Sequence, residues 1–193
     1  MITEIDKKTA LVLIDLQQGI IAGEKAHPTD SILAKANELI QAFRAAKLPI
    51  IFVNVNPIGA TWTRVRAEVA ADMSKMLDTE EKLDAFLEIT PVLDKTPKDI
   101  YVTKNTWNAF YNTALHRKLQ EKNVTGIVLA GISTSIGVEG TARAASELGY
   151  NLTFALDATT DRVLEAHDHS IKYIFPRIGE LGSVKEVIEK LPK

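Results

Sequence analysis

Residues Ala10 to Ile14 read ALVLI, an unbroken apolar run that stops on Asp15. A strand with one wet face alternates apolar and polar residues, so a continuous run fits a strand covered on both faces, as in a parallel sheet. A helix is predicted next, over 30–47. There Ile32, Leu33, Ala36, Leu39, Ile40 and Phe43 recur at three- and four-residue intervals and form one apolar stripe. Asp30 is placed to cap it, and Pro49 follows its exit. Further strands are predicted at Ile50–Val55, Ile100–Thr103, Val124–Ala130, Asn151–Leu156 and Tyr173–Phe175. Helices are predicted near Thr63–Met76 and Glu80–Ile89, and over Asn108–Gln120, Gly137–Leu148, Glu165–Lys172 and Ser183–Leu191.

Strand and helix signals thus alternate, and right-handed crossovers turn that order into a doubly wound, three-layer α/β sandwich. No internal repeat or linker divides the 193 residues, so 1–193 is expected to be a single domain. Sheets of this kind bind ligands beyond the carboxyl ends of their strands. Asp15, Lys104, the turn Gly131–Gly137 and Asp157 all fall at predicted strand ends.

Composition removes several classes of function. The sequence holds no cysteine, which excludes disulfides, thiolate metal sites and every cysteine-nucleophile mechanism. A net charge of -2 gives no broad attraction to nucleic acid or to an acidic membrane. No run approaches the roughly 18–20 apolar residues of a membrane span. The opening MITEIDKK lacks the apolar core of a signal peptide. A cytoplasmic protein acting on a small molecule, without nucleic-acid or membrane partners, is the expectation.

Three blocks, ALVLIDLQQG (Ala10–Gly19), KNTWNAF (Lys104–Phe110) and LAGISTSIGVEGTARAASELGY (Leu129–Tyr150), stand in an order that resembles the isochorismatase-like hydrolase superfamily. The superfamily includes nicotinamidases and N-carbamoyl amidohydrolases. The resemblance implies a Rossmann-like sandwich with six mainly parallel strands in the order 3-2-1-4-5-6. It also implies assembly as a homo-oligomer, dimer or tetramer. Amidase members use an aspartate, a lysine and a cysteine. Asp15 and Lys104 match the first two, and alignment of the third block puts Gly137 at the cysteine position. Glycine cannot form a thioester. Isochorismatases proper show the same pattern and hydrolyse a vinyl ether, where a proton delivered to carbon creates an oxocarbenium species that water captures. The resemblance also implies a cis peptide bond at Ile132–Ser133.

Asp15 is therefore the candidate acid and Lys104 the group that orients it, although an aspartate there also suits a turn. At about 4 Å and an effective dielectric near 20 the pair attracts by about 4 kcal/mol. That attraction favours the ionised carboxylate, whereas carbon protonation needs the neutral acid. A dry pocket or the substrate must then raise the Asp15 pKa. Trp107, Asn108, Ser133, Thr134 and Gly137 are the candidate substrate-binding residues. Ser135 lies beside the missing thiol but completes no G-x-S-x-G elbow. Trp62, Arg64 and Arg66 in TWTRVR suit either a clamp on a planar carboxylated substrate or an exposed helix. His167, Asp168 and His169 offer only a weak coordination pattern beside His27 and His116. No organic cofactor and no catalytic metal are expected.

Overall fold

The computed structural model describes residues 2–58 and 73–192. Six parallel strands, β1 (Thr9–Ile14), β2 (Ile50–Val55), β3 (Ile100–Lys104), β4 (Gly126–Ile132), β5 (Asn151–Thr160) and β6 (Glu180–Gly182), form one sheet ordered β3-β2-β1-β4-β5-β6. Helices α1 (Gln18–Ile21), α2 (Thr29–Ala45), α3 (Met73–Met76), α4 (Glu80–Leu87), α5 (Leu115–Glu121), α6 (Glu139–Glu147), α7 (Leu164–His169) and α8 (Val184–Lys190) accompany it. None of the described helices is long and apolar enough to cross a membrane.

The run ALVLI is unbroken because its alternate residues feed two separate cores. Leu11 and Leu13 join Phe52 and Val128 beneath Leu33, Leu39, Ile40 and Phe43 of α2 and Val184 and Val187 of α8. Ala10, Val12 and Ile14 point the other way, to Val53, Leu129 and Phe154 under Leu115 and Leu119 of α5 and Ala142 and Ala145 of α6. Each such Leu or Phe contributes on the order of 2–3 kcal/mol through burial. β1 is thereby held from both faces at the centre of the sheet, and its carboxyl end is a rigid place for a polar group.

Beyond β1, Gln17 replaces a missing piece of sheet. Its side-chain oxygen accepts from the Val55 amide at 2.6 Å, and its nitrogen donates to the carbonyls of Val55 at 3.1 Å and Phe86 at 3.0 Å. The exit of α4 is thus tied to the end of β2. Nearby, the Phe86 ring covers Gly19, where an added Cβ would fall 1.9 Å from a ring carbon. A Gln17→Leu variant removes three hydrogen bonds to backbone groups at a partly buried place. It is expected to lose about 2–4 kcal/mol of stability, measurable as a lower midpoint in urea.

Several element boundaries differ from the sequence expectation. The sixth strand is Glu180–Gly182, whereas Tyr173–Phe175 is helical backbone. Phe175 stacks on Phe154, with ring centroids 3.9 Å apart, so the aromatic residue fills a core beside Pro176 instead of pairing in the sheet. Helix Asn108–Gln120 shortens to Leu115–Glu121. Asn108 Oδ1 takes the Phe110 amide and Thr113 Oγ1 takes that of Leu115, and such side-chain turns compete with helix. Strand β5 continues to Thr160, so Asp157 lies within it and caps α8 by accepting the Val184 amide at 2.6 Å. A π-helical turn, Thr134–Val138, precedes α6. The helix expected near Thr63–Met76 falls mostly outside the described residues, which resume at Met73.

Candidate active site

At the end of β1 the chain enters the left-handed region at Asp15, with φ +52°, a conformation that aspartate tolerates better than most residues. β3, two strands away, ends on Lys104. The two side chains meet, with Lys104 Nζ donating to Asp15 Oδ2 at 2.7 Å and to the Thr106 carbonyl at 3.0 Å. Both are almost wholly buried, at 5% and 1% exposure. The remaining Asp15 oxygen, Oδ1, is buried and has no hydrogen-bond partner among the described residues. An orphaned polar atom of this kind in a native fold asks for an explanation, and a ligand is one.

Burial pushes the Asp15 carboxyl up to about 6 from its ordinary value, and outweighs the charge and hydrogen bond of Lys104, which pull it down. The dry pocket required for a neutral acid is therefore supplied by the fold itself.

From the other side β4 brings in the turn. The Ile132–Ser133 peptide is cis, and the Ser133 carbonyl accepts from the amides of Ile136 and Val138, both at 3.1 Å. Gly137 is buried against the pair. A Cβ added there would stand 3.0 Å from Asp15 Oδ2 and 2.9 Å from Ile14 Cγ2. The space a side chain would start in is thus taken by the carboxylate.

A family model described as the isochorismatase domain matches residues 9–186. The chain belongs to the isochorismatase family. The family protein YecD of Escherichia coli O157:H7 is 39% identical over 191 residues, covering 96% of this chain and 97% of YecD. YwoC of Bacillus subtilis (strain 168) is 36% identical over 186 residues, covering 96% of this chain and 95% of YwoC. The structure of an isochorismatase family protein from Burkholderia thailandensis superposes with a TM-score of 0.87 at 36% identity, over 99% of both chains.

This member of the isochorismatase-like hydrolase superfamily has a buried Lys–Asp pair and no cysteine. The other residues singled out in the sequence are held by contacts of their own. Thr134 is buried, with its hydroxyl 2.8 Å from His167 Nδ1. Asn108 spends its side-chain oxygen on the Phe110 amide at 2.7 Å. Trp107 is half exposed and lies over α6, its Cβ 3.2 Å from where a Gly140 Cβ would be. Trp62, Arg64 and Arg66 lie outside the described residues. Ser135 donates its hydroxyl to Asp161 Oδ2 at 2.8 Å rather than to a histidine. Among the described residues no group of three or more His, Cys, Asp or Glu is placed to hold a metal ion.

Asp161 and His167 are the neighbours that sequence patterns missed as partners of the turn. Their contacts span 26 and 33 residues. Only the adjacency of β4 and β5 could have signalled them. A separate cleft of about 550 Å³, lined by Asp6, Tyr150, Asn151, Arg177 and Glu180 among others, opens at the amino ends of β4 and β5. It is at the opposite end of the parallel sheet from Asp15 and Lys104.

Proposed function

We propose that the protein is a small-molecule hydrolase that works without a covalent intermediate, with Asp15 as a general acid and Lys104 as the cation that orients it. The observation that carries this reading is the buried Asp15 carboxyl, which has one oxygen held by Lys104 and the other without a partner among the described residues. A carboxyl that gives up its proton near pH 6 is a competent acid at neutral pH. Held neutral, it can donate its proton to the vinyl carbon of a substrate placed at Oδ1. Water adds to the oxocarbenium carbon and returns a proton to Asp15, and the hemiketal so formed breaks its ether C–O bond to release an alcohol and a ketone.

Gly137 stands where amidase relatives carry the thiol, so no thioester forms there. The substrate class proposed is a vinyl ether or another activated cyclic acid, for which protonation rather than nucleophilic attack is the hard step. Trp107, Asn108, Ser133 and Thr134 are proposed to line the substrate. One observation favours a second reading, a ligand-binding member without catalysis. The carboxylate and the Ile14 methyl close the space beside Gly137.

The test is turnover of a panel of vinyl ethers and small amides across a pH series. Hydrolysis of a vinyl ether is expected, with a rate that falls as pH rises through about 6, because the acid form of Asp15 is lost there. Binding without turnover would support the second reading. Amide hydrolysis with a rising pH profile would sink the proposal.

A further inference from the structure

Asp161 closes β5 and is 3% exposed. Its carboxylate and its carbonyl accept hydrogen bonds from three parts of the chain. Oδ2 accepts both the Ser135 amide and the Ser135 hydroxyl, each at 2.8 Å. Oδ1 accepts the Arg162 amide at 2.7 Å. Its carbonyl accepts the Ala26 amide at 2.7 Å, which ties in the loop before α2. Ser135 sits in the turn whose Gly137 abuts Asp15. A carboxylate taking two donors from one residue fixes position and orientation together, and charge-assisted bonds of this kind are the stronger ones.

We propose that Asp161 is a positioning residue of the Asp15–Lys104 site, holding the Thr134–Val138 turn so that Gly137 stays packed against the Asp15 carboxylate and water stays out. This rests on Asp15 being the working group of the site. It also gives Ser135 a structural task, since its proton is committed to Asp161. Among the described groups, Lys104 on β3 is the charge that faces Asp15. His167 on α7 touches the same turn through Thr134, with the His27 ring tilted against it at 4.6 Å between centroids.

The test follows the titration of the Asp15 carboxyl by carbon-detected NMR, with the signal assigned by its absence in Asp15→Asn. In Asp161→Ala the midpoint is expected to fall by one pH unit or more, a tenfold change in the ionisation constant, as water reaches Asp15. Asp161→Asn removes the charge but keeps part of the hydrogen bonding, and is expected to give less than half that shift. Asp157→Ala, which deletes a bond from β5 to α8, is expected to leave the midpoint in place.

An unchanged midpoint in Asp161→Ala overturns the proposal. So does an equal shift in Ala and Asn, which would mark a charge effect, or an equal shift in Asp157→Ala, which would mark general loosening. If Asp161→Ala does not fold, Ser135→Ala decides, since it keeps the Asp161 charge in place. A fall in its midpoint supports positioning, and an unmoved midpoint rejects it. The titration needs no turnover, so a failure to find hydrolysis leaves it standing, whereas an unmoved midpoint in an active variant removes the role of Asp161 alone.

Discussion

Asp15→Asn is expected to lower kcat on the best vinyl ether substrate by about 10²–10⁴-fold, the range that a positioned general acid supplies. The variant separates chemistry from structure. Asparagine has the shape of the protonated acid, and its oxygen can still accept from Lys104, so below about pH 6 the buried environment changes little. What it lacks is a transferable proton.

Stability provides the control. The folded protein holds the Asp15 proton up to about pH 6, whereas the ordinary value for the group is 3.8. The native state therefore binds more protons than the unfolded chain between those limits. Stability falls as pH rises through that window, by up to about 1.4 kcal/mol per pH unit. Asp15→Asn removes this slope, and urea midpoints between pH 4 and 7 measure it. Lys104→Met acts differently. It takes away the charge and hydrogen bond that pull the Asp15 pKa down, so the falling limb of the rate profile moves to higher pH. An Asp15→Asn enzyme with unaltered kcat would remove Asp15 from the chemistry.

Gly131→Ala is expected to be severely damaging, at about 4 kcal/mol. Gly131 pairs with Ile14 of β1 and Thr159 of β5 and has φ +124°. Its added Cβ would lie 2.1 Å from the Ile14 carbonyl oxygen and 2.6 Å from the Ile14 nitrogen. Those are backbone atoms of the central strand, so no rotamer change relieves the clash and β1 must move from β4. For a chain of this size the loss corresponds to roughly 8–16 °C in Tm. Gly149 provides the comparison. It has φ +84° and nothing within 4 Å of an added Cβ, so Gly149→Ala carries only the backbone penalty of about 1 kcal/mol. Equal losses at the two positions would show that conformation, not collision, governs Gly131.

The central strands were readable because their residues obey one rule, burial on both faces, and that rule leaves an unbroken apolar string in the letters. Asp15 was readable as the polar residue on which the ALVLI string stops, whereas Lys104, which follows Thr103 on a strand with alternate residues exposed, was singled out through the resemblance of the KNTWNAF block. The last strand was not readable. Tyr173 and Phe175 have strand-like side chains, but Phe175 is claimed by the ring of Phe154, and the real strand, Glu180–Gly182, carries no apolar string at all. Asp157 was misplaced because β5 runs on past it to Thr160. Asp161 escaped notice since its value lies in Ser135, a residue on a neighbouring strand exit that no local pattern connects to it. The raised Asp15 pKa belongs to the same category. Attraction to Lys104 could be foreseen from the residue types, but the burial that exceeds it is a property of the assembled core.

The closeness of Gly137 to its neighbours has a bearing on engineering. Any side chain introduced at that position needs its neighbours to give, because the Cβ alone meets Asp15 Oδ2 at 3.0 Å and the Ile14 methyl at 2.9 Å. A redesign that fills this gap therefore repositions the Asp15 carboxylate as well, so the two positions have to be varied together.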